Sequence, residues 1–128
     1  MSDSPASESD LFEIAVDPSR PRIRYRMKGY WDEAVFARFQ EAFLVEMRKF
    51  HARGEAFDLI GDLTEFPTQP QKLNDAREQL VHEAIALGLR KCGVVTGSQL
   101  VRMQLGRLAN QHYAFFASEA EALAWIEA

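Results

Sequence analysis

A chain of 128 residues that is 47% hydrophobic, with nine phenylalanines and two tryptophans, has material for one ordinary core and can bury roughly two-thirds of its unfolded surface. The formal charge of −4 argues against a nucleic-acid partner, because neutralising phosphates calls for a basic surface. The single cysteine, Cys92, excludes an intramolecular disulfide and suits a reducing compartment. The acidic, polar stretch Ser2–Asp10 does not read as a signal peptide, Ser2 stands where myristoylation needs glycine, and no apolar run approaches a membrane span. The expectation is a cytoplasmic protein.

Residues 1–10 read as a disordered tail, followed by one domain over 11–128. From Leu11 to Asp17, Phe12, Ile14 and Val16 alternate with polar residues, the period of a half-buried strand. Asp17-Pro18-Ser19-Arg20-Pro21 is turn chemistry. The run Arg22–Lys28 alternates again, with Ile23, Tyr25 and Met27 opposite Arg22, Arg24, Arg26 and Lys28. Two alternating runs with a short connection predict an antiparallel hairpin. Asp32 suits an N-cap, and Phe36, Phe39, Phe43, Met47 and Phe50 recur at helical steps, predicting an amphipathic helix over 32–53 that Gly54 stops. Phe57–Leu63 predicts a third strand, and Thr64–Gln71, with two prolines, a loop. Leu73, Ala76, Leu80, Ala84 and Leu87 mark a second helix. Cys92–Thr96 predicts a short fourth strand, and Ser98 caps a third helix carrying Val101, Leu105 and Leu108. Tyr113–Ala117 predicts the last strand, and Ser118 with Glu121 forms a capping box for a final helix. The order β-β-α-β-α-β-α-β-α implies mainly parallel pairing through crossovers.

Motifs of catalysis are missing. His82-Glu83 lies on the second helix, but Ala86 stands where a zinc-protease helix needs its second histidine. His51, His82 and His112 fall on separate elements, so no metal site is expected. Gly93–Ser98 runs from strand to helix without the Lys-Ser/Thr pair of a phosphate loop or a dinucleotide fingerprint. No Gly-x-Ser-x-Gly elbow supplies a nucleophile, and Cys92 reads as a small core residue. No cofactor is expected, and the chain does not read as an enzyme.

Arg20, Arg22, Arg24, Arg26 and Lys28 share one strand face. That face either binds an anion or a partner, or is a solvated face whose charges pair across the hairpin with Glu13 and Asp17. Burying several unpaired guanidinium groups is prohibitive, so the expectation places it in water at the sheet edge.

Over about residues 11–127 the chain resembles the SpoIIAA-like family, related to STAS domains and more distantly to CRAL-TRIO lipid-binding domains. The resemblance lies in the element order, in Phe57-Asp58-Leu59-Ile60-Gly61-Asp62-Leu63-Thr64, in Lys91-Cys92-Gly93-Val94-Val95-Thr96-Gly97, and in the ending Ala120-Glu121-Ala122-Leu123-Ala124-Trp125-Ile126. It implies an α/β fold: a right-handed β-α superhelix with a mixed, mainly parallel five-stranded sheet, an antiparallel N-terminal hairpin and four helices. Members of the STAS group act as anti-sigma-factor antagonists, switched by phosphorylation of a serine in an Asp-Ser-Ser-Gly turn. Here Asp62-Leu63-Thr64 matches the start of that region, but the turn falls on Pro70-Gln71-Lys72-Leu73, which has no hydroxyl.

Two functions are compatible with these observations. One is a non-enzymatic regulatory module that binds another protein. The alternative is a binding protein for an apolar or amphipathic, lipid-like molecule, using the phenylalanine stripe as a wall. In open α/β sheets, binding groups gather beyond the carboxyl ends of the parallel strands. That rule selects Asp62, Thr64 and Thr68 after the third strand, and Ser98 and Gln99 after the fourth.

Overall fold

The computed structural model describes residues 11–106 and 111–128; the expected tail over 1–10, and Leu108 of the third helix, lie outside them. Five strands, β1 (Phe12–Val16), β2 (Arg22–Lys28), β3 (Phe57–Glu65), β4 (Leu89–Val95) and β5 (Tyr113–Phe116), form one sheet in sequential order. The helices are α1 (Glu33–Ala52), α2 (Gln71–Leu87), α3 (Gln99–Leu105) and α4 (Glu119–Glu127). β1 and β2 are antiparallel and every later pair is parallel.

Local chemistry sets these boundaries. In the hairpin turn, Ser19 donates from its backbone N and its Oγ to Asp17 Oδ1, each at 2.8 Å. Asp32 Oδ1 accepts from Val35 N at 2.8 Å and opens α1, satisfying one of the amides that a helix start leaves unpaired. α2 closes on Gly88 with φ 113°, a left-handed cap that suits glycine. Ser118 Oγ accepts from Glu121 N at 3.2 Å and fixes the start of α4.

A sequential parallel sheet with crossovers of one hand must collect its crossover helices on one face, and α1, α2 and α3 do lie together. Phe39, Phe43 and Met47 of α1, Leu73 and Leu80 of α2, and Val101 and Leu105 of α3 pack with Ile23, Tyr25, Leu59, Val94 and Tyr113 of the sheet in one core. α4 covers the other face, where Ala122 and Ile126 meet Ile60 and Val95. Gly93 makes that seat possible, since a Cβ there would stand 3.1 Å from the Ala122 Cβ.

Three expectations need correction. β3 runs on to Glu65 because its ladder with β2 resumes after a bulge, pairing Lys28 with Glu65. Thr64 therefore belongs to the strand rather than to the loop, and Asp62 lies within the strand, before its carboxyl end and not beyond it. β4 begins at Leu89, three residues early, because the outward polar side chains of Arg90 and Lys91 hide the strand pattern. The hairpin does occupy the sheet edge, but its basic face is not simply in water. Arg22 is only 5% exposed, and α4 supplies the charges that make this tolerable. Arg20 and Arg22 reach Glu127 at 2.8 and 3.3 Å, and Arg24 reaches Glu119 at 2.6 Å. Of the expected cross-hairpin pairs, Arg26–Glu13 forms at 2.6 Å, whereas Asp17 turns to Ser19.

Candidate functional site

The five residues selected from the sequence divide between two places. Asp62 and Thr64 line an open groove of about 630 Å³ on the α4 face, with Arg24, Arg26, Ser118 and Glu119 around them. Asp62 Oδ1 accepts from Thr64 N at 2.9 Å and from Thr64 Oγ1 at 2.7 Å, so these polar groups satisfy one another. Of the guanidinium groups along the groove, Arg24 is engaged by Glu119 and Arg26 Nη2 by Glu13, while Arg26 Nε is buried without a partner.

Thr68 lies on the loop after β3, while after β4 Ser98 is the N-cap and Gln99 the first residue of α3. Ser98 Oγ accepts from Val101 N at 3.1 Å and caps α3; its own amide donates to Thr96 Oγ1 at 3.2 Å. Gln99 is exposed at the first turn of α3 and Thr68 is half-buried.

The residue that organises this edge is Gln69, buried in the β3–α2 loop. Its Nε2 donates to Gly29 O at 3.0 Å and to Pro67 O at 2.9 Å, and its Oε1 accepts from Trp31 N at 3.1 Å. Its backbone forms a reciprocal pair with one side chain of α3: Gln69 N donates to Gln104 Oε1 at 2.9 Å, and Gln104 Nε2 donates to Gln69 O at 2.6 Å. The Gln69 side chain thus ties the β2–α1 loop to its own loop, and its backbone ties both to α3. Both amide atoms of the Gln69 side chain are engaged, and such buried hydrogen bonds rigidify the loops they join.

Around this clamp, three large side chains point outward. Tyr30, between the two β2–α1 residues that Gln69 holds, is 75% exposed; Leu100 and Met103 of α3 are 66% and 75% exposed. The sequence carried a signal for the latter two. Val101 and Leu105 complete the inward stripe of α3, which leaves Leu100 and Met103 as apolar residues outside it. A lone glutamine between threonine and proline carried no comparable signal, and neither did the burial of Arg22.

No cluster of three or more histidine, cysteine, aspartate or glutamate side chains among the described residues could hold a metal ion. Cys92 lies in mid-strand, and burial pushes its thiol up to about 12, so it stays protonated where a nucleophile would need the thiolate. None of the described helices is long and apolar enough to cross a membrane.

No family model and no curated protein matches the sequence. Solved structures do match in shape. An uncharacterised protein of the DUF3478 family from Shewanella loihica, described as having a SpoIIAA-like fold, superposes with a TM-score of 0.67 at 11% identity, over 90% of this chain and 93% of the other. The anti-sigma factor antagonist SpoIIAA in its unphosphorylated form gives 0.60 at 17% identity, over 91% and 96%. The chain has a SpoIIAA-like α/β fold, with the antiparallel hairpin, parallel sheet and four helices expected of it.

Proposed function

We propose that this chain is a non-enzymatic regulatory module that docks another protein on the carboxyl edge of its parallel strands. The observation that carries the reading is the exposed set Tyr30, Leu100 and Met103 around the Gln69–Gln104 clamp. Apolar side chains presented on a prebuilt backbone favour association, because little ordering cost is left to meet on binding. Thr68, Ser98 and Gln99 supply polar contacts at the rim, whereas Asp62 and Thr64, in the groove with Arg24, bond to each other and stay outside the contact. The antagonist activity named for the SpoIIAA neighbour supports a partner protein as the ligand class.

The docking would run without a phosphoserine switch at the start of α2. The N-cap there is Pro70, which makes no side-chain cap hydrogen bond, and Lys72 is engaged by Glu33 at 2.8 Å. The lipid-like alternative needs volume. The cavity under α1 and α2 measures about 30 Å³, against roughly 300 Å³ or more for a small-molecule pocket.

The test compares three baits in lysate capture: the wild type, Arg24→Glu, and the triple variant Tyr30→Ser/Leu100→Ser/Met103→Ser. A protein retained by the first two and lost by the third supports the edge, provided the thermal midpoint of the triple variant is unchanged. Amide shifts on mixing with that protein should cluster on residues 66–70 and 97–104. Equal retention by all three baits refutes the reading.

A further inference from the structure

Beneath α1 and α2 the main core holds one basic side chain with nothing to balance it. Arg77 is 5% exposed. Its Nη2 donates to Tyr113 Oη at 3.0 Å and its guanidinium carbon lies 5.7 Å from the centre of the Phe66 ring. Its Nη1 is buried without a hydrogen-bond partner, and no carboxylate among the described residues forms an ion pair with it. One turn earlier on α2, Asn74 Oδ1 is also buried and unpartnered, but a neutral amide does not offset a full charge.

Arg77 lines a cavity of about 30 Å³ together with Tyr25, Cys92, Tyr113 and aliphatic and aromatic core residues. Tyr25 Oη and Cys92 Sγ are 3.6 Å apart. Burial pushes the Tyr113 phenol and the Cys92 thiol up to about 12, and the Tyr25 phenol well above its ordinary value. All three are neutral, so none is the missing counter-charge. They add donors instead. Tyr113 Oη accepts from Arg77, leaving its own O–H to give. The Tyr25–Cys92 contact uses one hydrogen of the two available. An isolated buried cation is strongly unfavourable, and the few donors beside it, in an otherwise apolar cavity, favour a negative occupant.

Size narrows the class. A water needs about 10–15 Å³, so 30 Å³ accommodates one monatomic ion or a very small carboxylate and no longer chain. A single guanidinium also matches one negative charge rather than two.

We propose that this cavity binds a small monovalent anion, a halide or a one- or two-carbon carboxylate, held by Arg77 Nη1 and the Tyr113 hydroxyl. The first test follows the thermal midpoint of the whole chain at constant ionic strength, with sodium gluconate exchanged for chloride, bromide or formate. Gluconate is too large to enter. A saturable rise of about 5 °C is expected for an anion that binds the native state alone, and Arg77→Met should abolish it. Should that variant not fold, Tyr113→Phe keeps the guanidinium, removes one donor and should raise the half-saturating concentration about 10-fold. The second test is anomalous diffraction from crystals grown in bromide. A peak beside Arg77 supports the site. Its persistence in excess formate assigns a halide as the preferred occupant, and its loss assigns the carboxylate. Equal midpoints in gluconate, chloride, bromide and formate, a water at Arg77, or bromide confined to surface arginines overturns the proposal.

Discussion

Gly61→Ala adds one methyl group to the sheet, yet it should be among the more damaging single changes available. Gly61 is the register partner of Tyr25 on the neighbouring strand, and the tyrosine ring lies across it. An added Cβ would stand 2.5 Å from Tyr25 Oη and 2.6 Å from Cε2. Ordinary carbon contacts begin at about 3.5 Å, so the ring must retreat by about 1 Å. It has nowhere to go. Phe43 and Phe39 hold it with ring centres at 5.0 and 6.0 Å, and its hydroxyl meets Cys92 Sγ at 3.6 Å. Overpacking of this kind costs about 1–3 kcal/mol, and loss of the buried hydrogen bond adds roughly 1 kcal/mol. Replacing a strand glycine returns about 0.5–1 kcal/mol of backbone entropy. The expected net loss is therefore about 2–3 kcal/mol by urea denaturation, out of the roughly 5–15 kcal/mol that such a domain has. A double-mutant cycle with Tyr25→Ala separates the clash from the methyl group itself. Once the ring is gone, the added methyl group should cost nothing, giving a coupling of about 2 kcal/mol or more. A Gly61→Ala loss below about 0.5 kcal/mol, or an additive cycle, would refute the close approach of ring and glycine.

Other perturbations separate faces and layers. Phe43→Ala should cost about 3–5 kcal/mol through lost burial and a residual cavity, since the ring is almost wholly enclosed under α1; a near-neutral thermal shift would place it elsewhere. Arg24→Glu should change stability by less than about 1 kcal/mol, as exposed pairs do, because Arg24 and Glu119 are each about half exposed. Arg22→Glu should cost more than about 3 kcal/mol, for it buries a carboxylate beside Glu127; equal effects at 22 and 24 would contradict the covering role of α4. In alkali, the folded state keeps Cys92 and Tyr113 protonated up to about 12, against ordinary values of 9.0 and 10.0. Raised folded values mean that this stability is complete below about pH 9 and is lost as pH rises towards 12. The urea midpoint should hold steady from pH 7 to 8.5 and decline beyond, and a flat midpoint through pH 11 would contradict the burial of both groups.

Periodicity announced most of the fold. The alternation of Ile23, Tyr25 and Met27 and the α1 stripe from Phe36 to Phe50 each report one buried face, and the structure buries those residues. Hidden features were those depending on elements distant in sequence. The acids that engage Arg22 and Arg24 come from α4, some hundred residues later, so the strand pattern alone pointed to water. Thr64 looked like a loop residue because polar side chains on a half-covered strand face give the same composition as a loop. The clamp at Gln69 depends on Gly29, Trp31 and Gln104 converging in space, which no local spacing encodes. The burial of Arg77 likewise depends on Tyr113 meeting it from β5, which the α2 stripe does not encode.

The lopsided covering of the sheet has a consequence for how the domain opens. Three helices seal one face, while α4, nine residues long, shields Ile60 and Val95 on the other. Helices that short do not persist by themselves in water, so α4 stays in place through its seat at Gly93 and its ties to Arg20, Arg22 and Arg24. Its detachment would wet the patch formed by Ile60 and Val95 while leaving the strand ladders and the Phe39 side of the core intact. Native-state hydrogen exchange should then show α4 amides exchanging through an opening well below the free energy of global unfolding. Salt should lower that opening energy further by screening the exposed arginine–glutamate pairs, making the last helix the part of the domain whose attachment answers to ionic strength.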